Sequence, residues 1–390
     1  MGDSITVIPA DEDLLNEYDA LATRAFGRRV DDVTRLAGHA DVRVALQSGR
    51  VIAGGVGMLI PQHFGGRPVP SACLGSGCVA PEHRGDRLTV RMLNERIRPL
   101  QEQGAALAAL WTSSNGYARR MGWEAPTPVF SWSVPTDALK RDFDPGDFEI
   151  EHGLTPDSEE LQRHLAPQWN GTLLRPPWWS AHTQRRHDLT FCRFSRPGRL
   201  PAGYLSLTAR QHDHQGAPLD VHDFWASDYS VASAMLAFLG RHNSRIPNIT
   251  FQRTSLPPQP LLLHGLHRYG SATAETCHPW MLRILDLPRA VRLRGWPADL
   301  DTTLPIGIEQ ENGDTARYLL QISHGAADLQ PTTIESRVRL TRRQAAVWYA
   351  GGYRSTAAAH MAGVRAADEQ NLATFIRSTA DHEAWLAEHF

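Results

Sequence analysis

The stretch Val79-Ala80-Pro81-Glu82-His83-Arg84-Gly85-Asp86-Arg87-Leu88 decides which fold to expect of this chain. It begins at the end of an apolar run, crosses a short loop that holds Pro81 and Arg84-Gly85, and enters a segment rich in Arg and Leu. Proline and glycine mark turns, whereas Arg and Leu favour helix. The stretch therefore predicts a strand, a loop and a helix in that order, which is the repeating unit of an α/β layer fold.

Helix and strand signals alternate on both sides of this stretch. Alternating apolar positions and turn residues predict strands at residues 6–8, 42–47, 51–59, 73–79, 105–111 and 131–134. The Ser48-Gly49-Arg50 turn predicts a hairpin between the second and third of them. Helices are predicted at residues 11–26, 88–103 and 116–121. The Pro- and Asp-rich segment 135–146 reads as a linker.

The length of 390 residues predicts more than one domain. We expect a first domain over residues 1–147, a second over 148–280 and a third over 281–390. In the second, strands are predicted at 203–207, 221–224 and 248–253, with a helix at 230–240. In the third, helices are predicted at 341–349, 357–362 and 366–378. The fold class expected from these signals is mixed α/β throughout.

The composition excludes several classes of function. With 42% hydrophobic residues, 21% charged residues and a net charge of −2, the chain reads as globular, without the basic excess that favours nucleic acid or an anionic membrane surface. The four cysteines form no zinc-ligand spacing, so no metal site is expected and the thiols are predicted to be buried and reduced. No secretion signal or apolar membrane-length run is found, which favours a cytoplasmic protein.

Three separated motifs resemble one family, the enhanced intracellular survival (Eis) acetyltransferases of the GCN5-related N-acetyltransferase (GNAT) superfamily. The loop quoted above resembles the acetyl-CoA pyrophosphate loop. Residues 110–123, LWTSSNGYARRMGW, resemble the Ser-rich turn, Tyr and Arg-Phe-Gly-Tyr run. Residues 280–288, WMLRILDLP, and 349–353, YAGGY, resemble segments of the family's sterol-carrier-like domain. The chain also ends in an aromatic residue, Phe390, as those proteins do.

The resemblance implies tandem GNAT-like domains, the second degenerate, followed by a sterol-carrier-like α/β domain. It also implies acetyl-CoA as cofactor, a small-molecule amine such as an aminoglycoside or an amine-bearing natural product as substrate, and assembly as a hexamer. The matching cofactor-binding positions are Cys78, Val79, Arg84, Gly85, Arg87, Leu88 and Ser113.

The pyrophosphate loop departs from the family pattern Gln/Arg-x-x-Gly-x-Gly/Ala. Arg84 fits the first position, but Arg87 replaces the first glycine and Thr89 the last small residue. Asp86 adds a negative charge where the family usually has Arg. These departures predict weak binding of acetyl-CoA, unless Arg84, Arg87 and Arg91 compensate by direct phosphate contacts.

Two residues carry the chemistry that the resemblance implies. Tyr117 matches the general acid, since a phenol is protonated at neutral pH and can protonate the departing thiolate. Phe390 matches the residue whose terminal carboxylate removes a proton from the substrate ammonium, a role that desolvation favours because it makes a carboxylate more basic. A packing role for Tyr117 and a frayed chain end are the alternatives.

Four acidic or titratable residues are candidates for binding a cationic amine: Asp31, Asp32, Glu388 and His389. A carboxylate near the amine stabilises its positive charge. The alternative for each is a solvated surface position.

Three functions are consistent with these motifs. The first is an acetyl-CoA-dependent N-acetyltransferase that acts on a small amine. The second is a CoA-independent enzyme of the same fold that catalyses intramolecular amine attack, elimination or hydrolysis in natural-product biosynthesis. The third is a protein that only sequesters an amine-bearing compound.

Overall fold

The structure is a computed structural model that describes residues 4–27, 36, 38–85, 87–209, 218–258, 261–268, 270–310 and 312–390. The chain divides into two compact units. The first comprises Met1–Thr127, Pro279–His382 and His389–Phe390, and the second comprises Pro128–His278 and Glu383–Glu388. The residue limits of the three domains expected from the sequence stay a prediction.

The first unit contains a six-stranded mixed sheet. Its strands are, in spatial order, β1 (Thr6–Pro9), β2 (Asp41–Gln47), β3 (Arg50–Leu59), β6 (Ser71–Val79), β7 (Leu107–Trp111) and β15 (Trp280–Ile284). A separate hairpin is formed by β4 (Gln62–Phe64) and β5 (Arg67–Val69). The helices that belong to this part are α1 (Glu12–Phe26), α2 (Leu88–Glu102) and α3 (Asn115–Arg120).

Local signals explain these elements. The Asp11 side chain accepts a hydrogen bond from the Leu14 amide and begins α1, which Gly27 ends at φ 66°. Ser48 and Gly49 both have positive φ, as a two-residue hairpin turn between β2 and β3 requires. The amphipathic face of α2 buries apolar side chains at helical spacing, namely Leu88, Met92, Leu93, Ile97 and Leu100.

The second unit contains a seven-stranded sheet with a hydrophobic helix. In spatial order its strands are β14 (Thr273–Thr276), β8 (Phe130–Pro135), β13 (Asn248–Phe251), β12 (Leu219–Ala226), β11 (Pro201–Ala209), β10 (Thr190–Ser195) and β9 (Glu149–His152). The helices are α4 (Thr136–Asp142), α5 (Pro156–Leu165), α6 (Trp179–His187), α7 (Tyr229–Gly240) and α8 (Leu261–Gly265). Apolar side chains of α4, α7 and the central strands form one core cluster.

The structure corrects two expectations near residue 135. The strand expected to close the first sheet, β8, pairs instead with β13 and β14 of the second unit. The segment expected to be a linker forms α4, which packs against α7 through the buried side chains of Ala138 and Leu139. Its Pro and Asp residues lie at or beyond the helix ends, where they are compatible with helix.

A five-stranded sheet completes the first unit. Its order is β18 (Ala326–Pro331), β17 (Thr315–Ser323), β16 (Thr302–Glu309), β19 (Val338–Thr341) and β20 (Arg365–Ala366). The accompanying helices are α9 (Leu287–Leu293), α10 (Arg342–Tyr349), α11 (Thr356–Met361) and α12 (Glu369–Arg377). The three helices predicted in this part are confirmed within a few residues, whereas the strands were not predicted. β15, expected to open the third domain, pairs with β7 of the first sheet.

Two further observations concern the predicted thiols and membrane segments. Cys73 and Cys192 are buried, but Cys78 and Cys277 are only half-buried, so the expectation of four buried thiols is wrong for two of them. Burial raises the pKa of the Cys192 thiol to about 11. None of the helices within the described ranges has both the length and the apolar character that a membrane span needs.

Candidate active site

The first sheet opens between two neighbouring parallel strands. β6 and β7 pair from Ser71 opposite Leu107 to Leu74 opposite Leu110, and the pairing stops there. Beyond this point β6 continues from Gly75 to Val79 beside β3, while β7 ends at Trp111. The opening lies at the carboxyl ends of the two strands, which is where α/β sheets bind ligands.

A bulge shapes the β6 side of the opening. The pairing of β3 with β6 jumps from Gly54–Cys78 to Val56–Gly75, which leaves Ser76 and Gly77 outside the regular ladder. Ser76 has φ 49°, and its carbonyl oxygen accepts a hydrogen bond from the Tyr18 hydroxyl. Tyr18 is fully buried, and this burial raises its pKa. The bulge is therefore held from beneath by a neutral phenol.

Tyr117 lies on the other side of the opening, in the short helix α3 that follows β7. Its ring packs against the apolar cluster that includes Leu74, Leu93 and Met121, and its hydroxyl is 3.2 Å from the Thr112 Oγ1. The same Oγ1 accepts a hydrogen bond from the Ser114 amide at 3.1 Å. The phenol ring is therefore fixed by packing in a half-buried residue, and its hydroxyl lies beside the turn.

The last two residues of the chain lie at the two strands that separate. A Cβ built on Gly75 would lie 2.9 Å from the Phe390 carboxyl carbon, which is closer than Cβ contacts are found. The His389 ring lies 5.4 Å from the Trp111 ring, measured between centroids. Phe390 is only 8% exposed. The chain end thus occupies the opening, with its carboxyl group so close to Gly75 that any larger residue there would require a shift.

Glu388 is placed in a different environment, within the second unit. Its carboxylate accepts hydrogen bonds from the Arg175 Nε at 2.8 Å and from the Leu173 amide at 3.2 Å, and the residue is 3% exposed. Arg175 also pairs with Asp223 at 2.6 Å. This buried network anchors the tail, together with Trp385, whose ring lies 4.8 Å from the Trp225 ring between centroids at a tilt of 47°. Nothing in the sequence indicated Arg175 as the partner of Glu388.

The other residues predicted to bind the amine lie in different places. Asp31 and Asp32 lie outside the described residues. His389 is half-buried beside Trp111. A role in amine binding stays a prediction for all four residues, and for Glu388 the observed contacts favour anchoring instead.

The predicted pyrophosphate loop forms the start of α2. Cys78 and Val79 are half-buried at the end of β6, and burial raises the pKa of the Cys78 thiol to about 11. Arg84, Gly85 and Arg87 are exposed, whereas Leu88 is buried. Ser113 is exposed in the turn between β7 and α3. Asp86 lies outside the described residues.

The backbone of this loop suits an anion despite the missing glycine. Gly85 has φ 103°, and Arg87 has φ 56° and ψ 9°, the left-handed conformation that a glycine adopts readily. Arg87 begins α2 without a side-chain cap, so the first amides of the helix point outward as at other anion-binding helix starts. Arg91 has one of its donors engaged, because its Nη2 donates to the Ile5 carbonyl at 2.9 Å. The donors that fit a pyrophosphate are therefore the helix amides with Arg84 and Arg87.

Comparisons with known families match all three parts of the chain. Profiles described as acetyltransferase (GNAT) domain match residues 6–125 and 171–284. A sterol carrier protein domain profile matches residues 287–387.

Individual relatives point the same way. The chain is 26% identical over 321 residues to N-acetyltransferase Eis of Mycobacterium bovis and of Mycobacterium tuberculosis, covering 78% of this chain and 76% of each relative. Among solved structures, a GCN5-related N-acetyltransferase from Anabaena variabilis superposes with a TM-score of 0.87 at 21% identity, over 99% of this chain and 100% of that one. Eis1 from Mycobacterium abscessus gives a TM-score of 0.77 at 16% identity, over 99% and 100% of the two chains.

The superpositions show the fold, and the sequence matches and domain order show the family. Two GNAT domains are followed by a sterol carrier domain, in the order that the sequence motifs predict. The chain belongs to the GCN5-related N-acetyltransferase superfamily, and in sequence and domain order it is similar to the Eis acetyltransferases.

Proposed function

We propose that this acetyltransferase transfers an acetyl group from acetyl-CoA to the amine of a small molecule, with Tyr117 as general acid and the Phe390 carboxylate as general base. The observation that carries the proposal is the contact of the Phe390 carboxyl carbon with Gly75, at the opening that Tyr117 borders.

The residues divide the work as follows. Acetyl-CoA supplies an acetyl group activated as a thioester. The Phe390 carboxylate removes a proton from the substrate ammonium, so that the nitrogen lone pair is available. Tyr117 holds its hydroxyl proton for the sulfur that departs. The amides at the start of α2, with Arg84 and Arg87, hold the pyrophosphate.

Two variants test the roles directly. Tyr117→Phe should lower kcat by roughly 10²–10⁴ with little change in melting temperature, whereas Tyr229→Phe, which removes an exposed hydroxyl, should change neither. Extending the chain by a few residues beyond Phe390 should abolish turnover without unfolding. Normal turnover in the extended chain would remove the carboxylate from the mechanism.

Binding of the cofactor is tested separately by calorimetry with acetyl-CoA. We expect binding weaker than in relatives with an intact glycine pattern, and weaker still in both Arg87→Gly and Arg87→Ala, which lose a phosphate donor. Tighter binding in both variants would show that the Arg87 side chain crowds the site instead. Absence of heat with about 1 mM ligand would mean that the binding free energy is less favourable than about −4 kcal/mol. That result would contradict the acetyltransferase proposal and favour the CoA-independent reaction. A hexameric assembly and a role in antibiotic resistance or natural-product biosynthesis stay predictions of the resemblance.

A further inference from the structure

A buried arginine lies beneath the bulge of β6. Arg96 of α2 is only 4% exposed, and its Nη2 donates to the carbonyl oxygens of Gly75, at 2.6 Å, and Val56. Within the described part of the chain, its Nε has no hydrogen-bond partner. Among the described residues, no carboxylate side chain forms a hydrogen bond with this guanidinium. Arg96 is thus a buried cation whose observed hydrogen bonds go to neutral carbonyl groups.

Two strand glycines make room for this cation. A Cβ on Gly55 would lie 2.4 Å from the Arg96 Cζ, and a Cβ on Gly77 would lie 2.7 Å from its Nη1. Glycine within a strand costs stability because it adds backbone entropy to the unfolded chain and offers no side chain to pack. The chain has glycine at two such positions directly beside the guanidinium. This indicates that the sheet is shaped to accommodate the cation.

A cation buried in this way needs an anion nearby. Guanidinium stays protonated in proteins, and burying an unpaired charge is strongly unfavourable. Burial lowers the pKa of Arg96, while the nearby Tyr18, Tyr117 and Cys78 groups act in the opposite direction. The Asp41 carboxylate also acts in that direction, but less than the three groups just named, and it pairs with Arg43 at 2.9 Å.

The chain end lies near this cation. Gly75 receives the Arg96 hydrogen bond at its carbonyl oxygen, and the Phe390 carboxyl carbon lies 2.9 Å from where a Cβ on Gly75 would be. Because both groups contact this one glycine, the Arg96 guanidinium and the Phe390 carboxyl group are at most about 10 Å apart. At that distance, within a protein interior, opposite charges stabilise each other.

We propose that Arg96 is a positioning residue that fixes the Gly75–Ser76 bulge and keeps the Phe390 carboxylate ionised; this rests on the proposed function of that carboxylate. The hydrogen bond to Gly75 sets the backbone against which the carboxylate lies, and the charge favours its anionic form. Other titratable groups face this region from the elements around it: Tyr18 of α1, Asp41 of β2, Cys78 of β6, Tyr117 of α3 and His389 of the tail.

The test is a direct titration of the terminal carboxylate. Phenylalanine labelled with ¹³C at the carbonyl gives twelve signals in this chain, and only the terminal one can titrate. In Arg96→Gln, which keeps a donor but loses the charge, the pKa of the Phe390 carboxylate should rise by about one pH unit, as follows from about 10 Å and an effective dielectric near 20. In Arg96→Lys, which keeps the charge, it should stay close to the wild-type value.

Arg294 provides the matched control. It is also fully buried and also donates to backbone carbonyls, those of Tyr349, Gly295 and Thr379. Arg294→Gln should lower the melting temperature without moving the carboxylate titration. If Arg96→Gln does not fold, Arg96→Met replaces it, since an apolar side chain of similar length avoids burying a polar group.

The outcomes separate this inference from the proposed function. An unchanged carboxylate titration in a folded, uncharged Arg96 variant would overturn it, and so would a wild-type carboxylate that is still protonated at pH 7. Acetyl transfer serves as the second readout. In Arg96→Gln, the acidic limb of the pH profile of kcat/KM should move to higher pH by the same amount as the pKa of the carboxylate. A wild-type chain that transfers no acetyl group refutes the proposed function, while the titration still decides the role of Arg96.

Discussion

Replacing Gly75 with alanine tests whether the chain end must lie where the structure has it. The backbone at Gly75 is not in the left-handed region, so alanine is compatible with the strand itself. The added methyl group would lie 2.9 Å from the Phe390 carboxyl carbon and 3.4 Å from its oxygen. One of the two groups must therefore move.

The size of the movement follows from ordinary carbon contacts. Non-bonded carbon atoms are most stable at about 3.5–4.0 Å, so the carboxyl group should shift by about 0.5–1 Å. A displacement of about 1 Å at a reacting group can cost about 10²-fold in rate. We expect kcat to fall about 10- to 100-fold, with a small change in KM, because the substrate is still bound but its proton acceptor is misplaced.

The assay is acetyl-CoA turnover with an accepted amine, measured beside the melting temperature. Gly57→Ala is the matched control, because it adds a methyl group to the same sheet at 3.0 Å from a Leu100 methyl carbon instead of the chain end. It should lower stability more than kcat. Normal kcat in a folded Gly75→Ala variant would refute a positional requirement for the Phe390 carboxylate.

Two further predictions concern stability. Arg87→Gly should raise the free energy of unfolding by about 0.5–1 kcal/mol, since the left-handed φ of 56° is strained for arginine, and Arg87→Ala should not; equal melting temperatures for both would show that no strain is present. Glu124→Gln should lower the free energy of unfolding by about 1 kcal/mol, because it removes the ion pairs with Arg119 and Arg343. The loss is no larger because both arginines are half-exposed, so that solvent screens the pairs. Burial opposes ionisation of Glu124, but hydrogen bonds from Arg343 and others outweigh it and lower its pKa, so the difference should hold above about pH 4.3 and vanish in acid; a difference that persists at pH 2 in unfolding scans would argue against this cause.

The sequence predicted those parts of the fold that depend on local signals. The Asp11 cap, the Ser48-Gly49 turn and the apolar spacing of α2 each act over a few residues, and each element formed as expected. The predicted loop before α2 also formed, with Arg87 in the left-handed conformation that glycine adopts readily. The departure from the family pattern at residue 87 is therefore compatible with this turn of the backbone, at the cost of strain.

Sheet membership was beyond these local signals. The strand at Phe130–Pro135 was predicted, but nothing in its residues tells which sheet it joins, and it pairs with β13 and β14. The same holds for Trp280–Ile284, which pairs with β7 across a sequence separation of about 170 residues. Pairing across such distances is decided by how whole elements pack.

The candidate site could likewise be predicted only in part. The role of each of its glycines becomes clear only when the side chain that it faces is known. Gly54 lies against the ring of Tyr18, Gly55 and Gly77 against the guanidinium of Arg96, and Gly75 against the chain end. In the sequence these glycines only weaken two predicted strands. In the structure they are the spaces that admit a phenol, a cation and a carboxylate into one sheet. An arginine on the amphipathic helix α2 reads as solvent-exposed until the glycines opposite it are known, and for that reason Arg96 was not predicted as part of the site. Strand glycines that face a long polar side chain from a neighbouring helix are thus a sign of a buried charge.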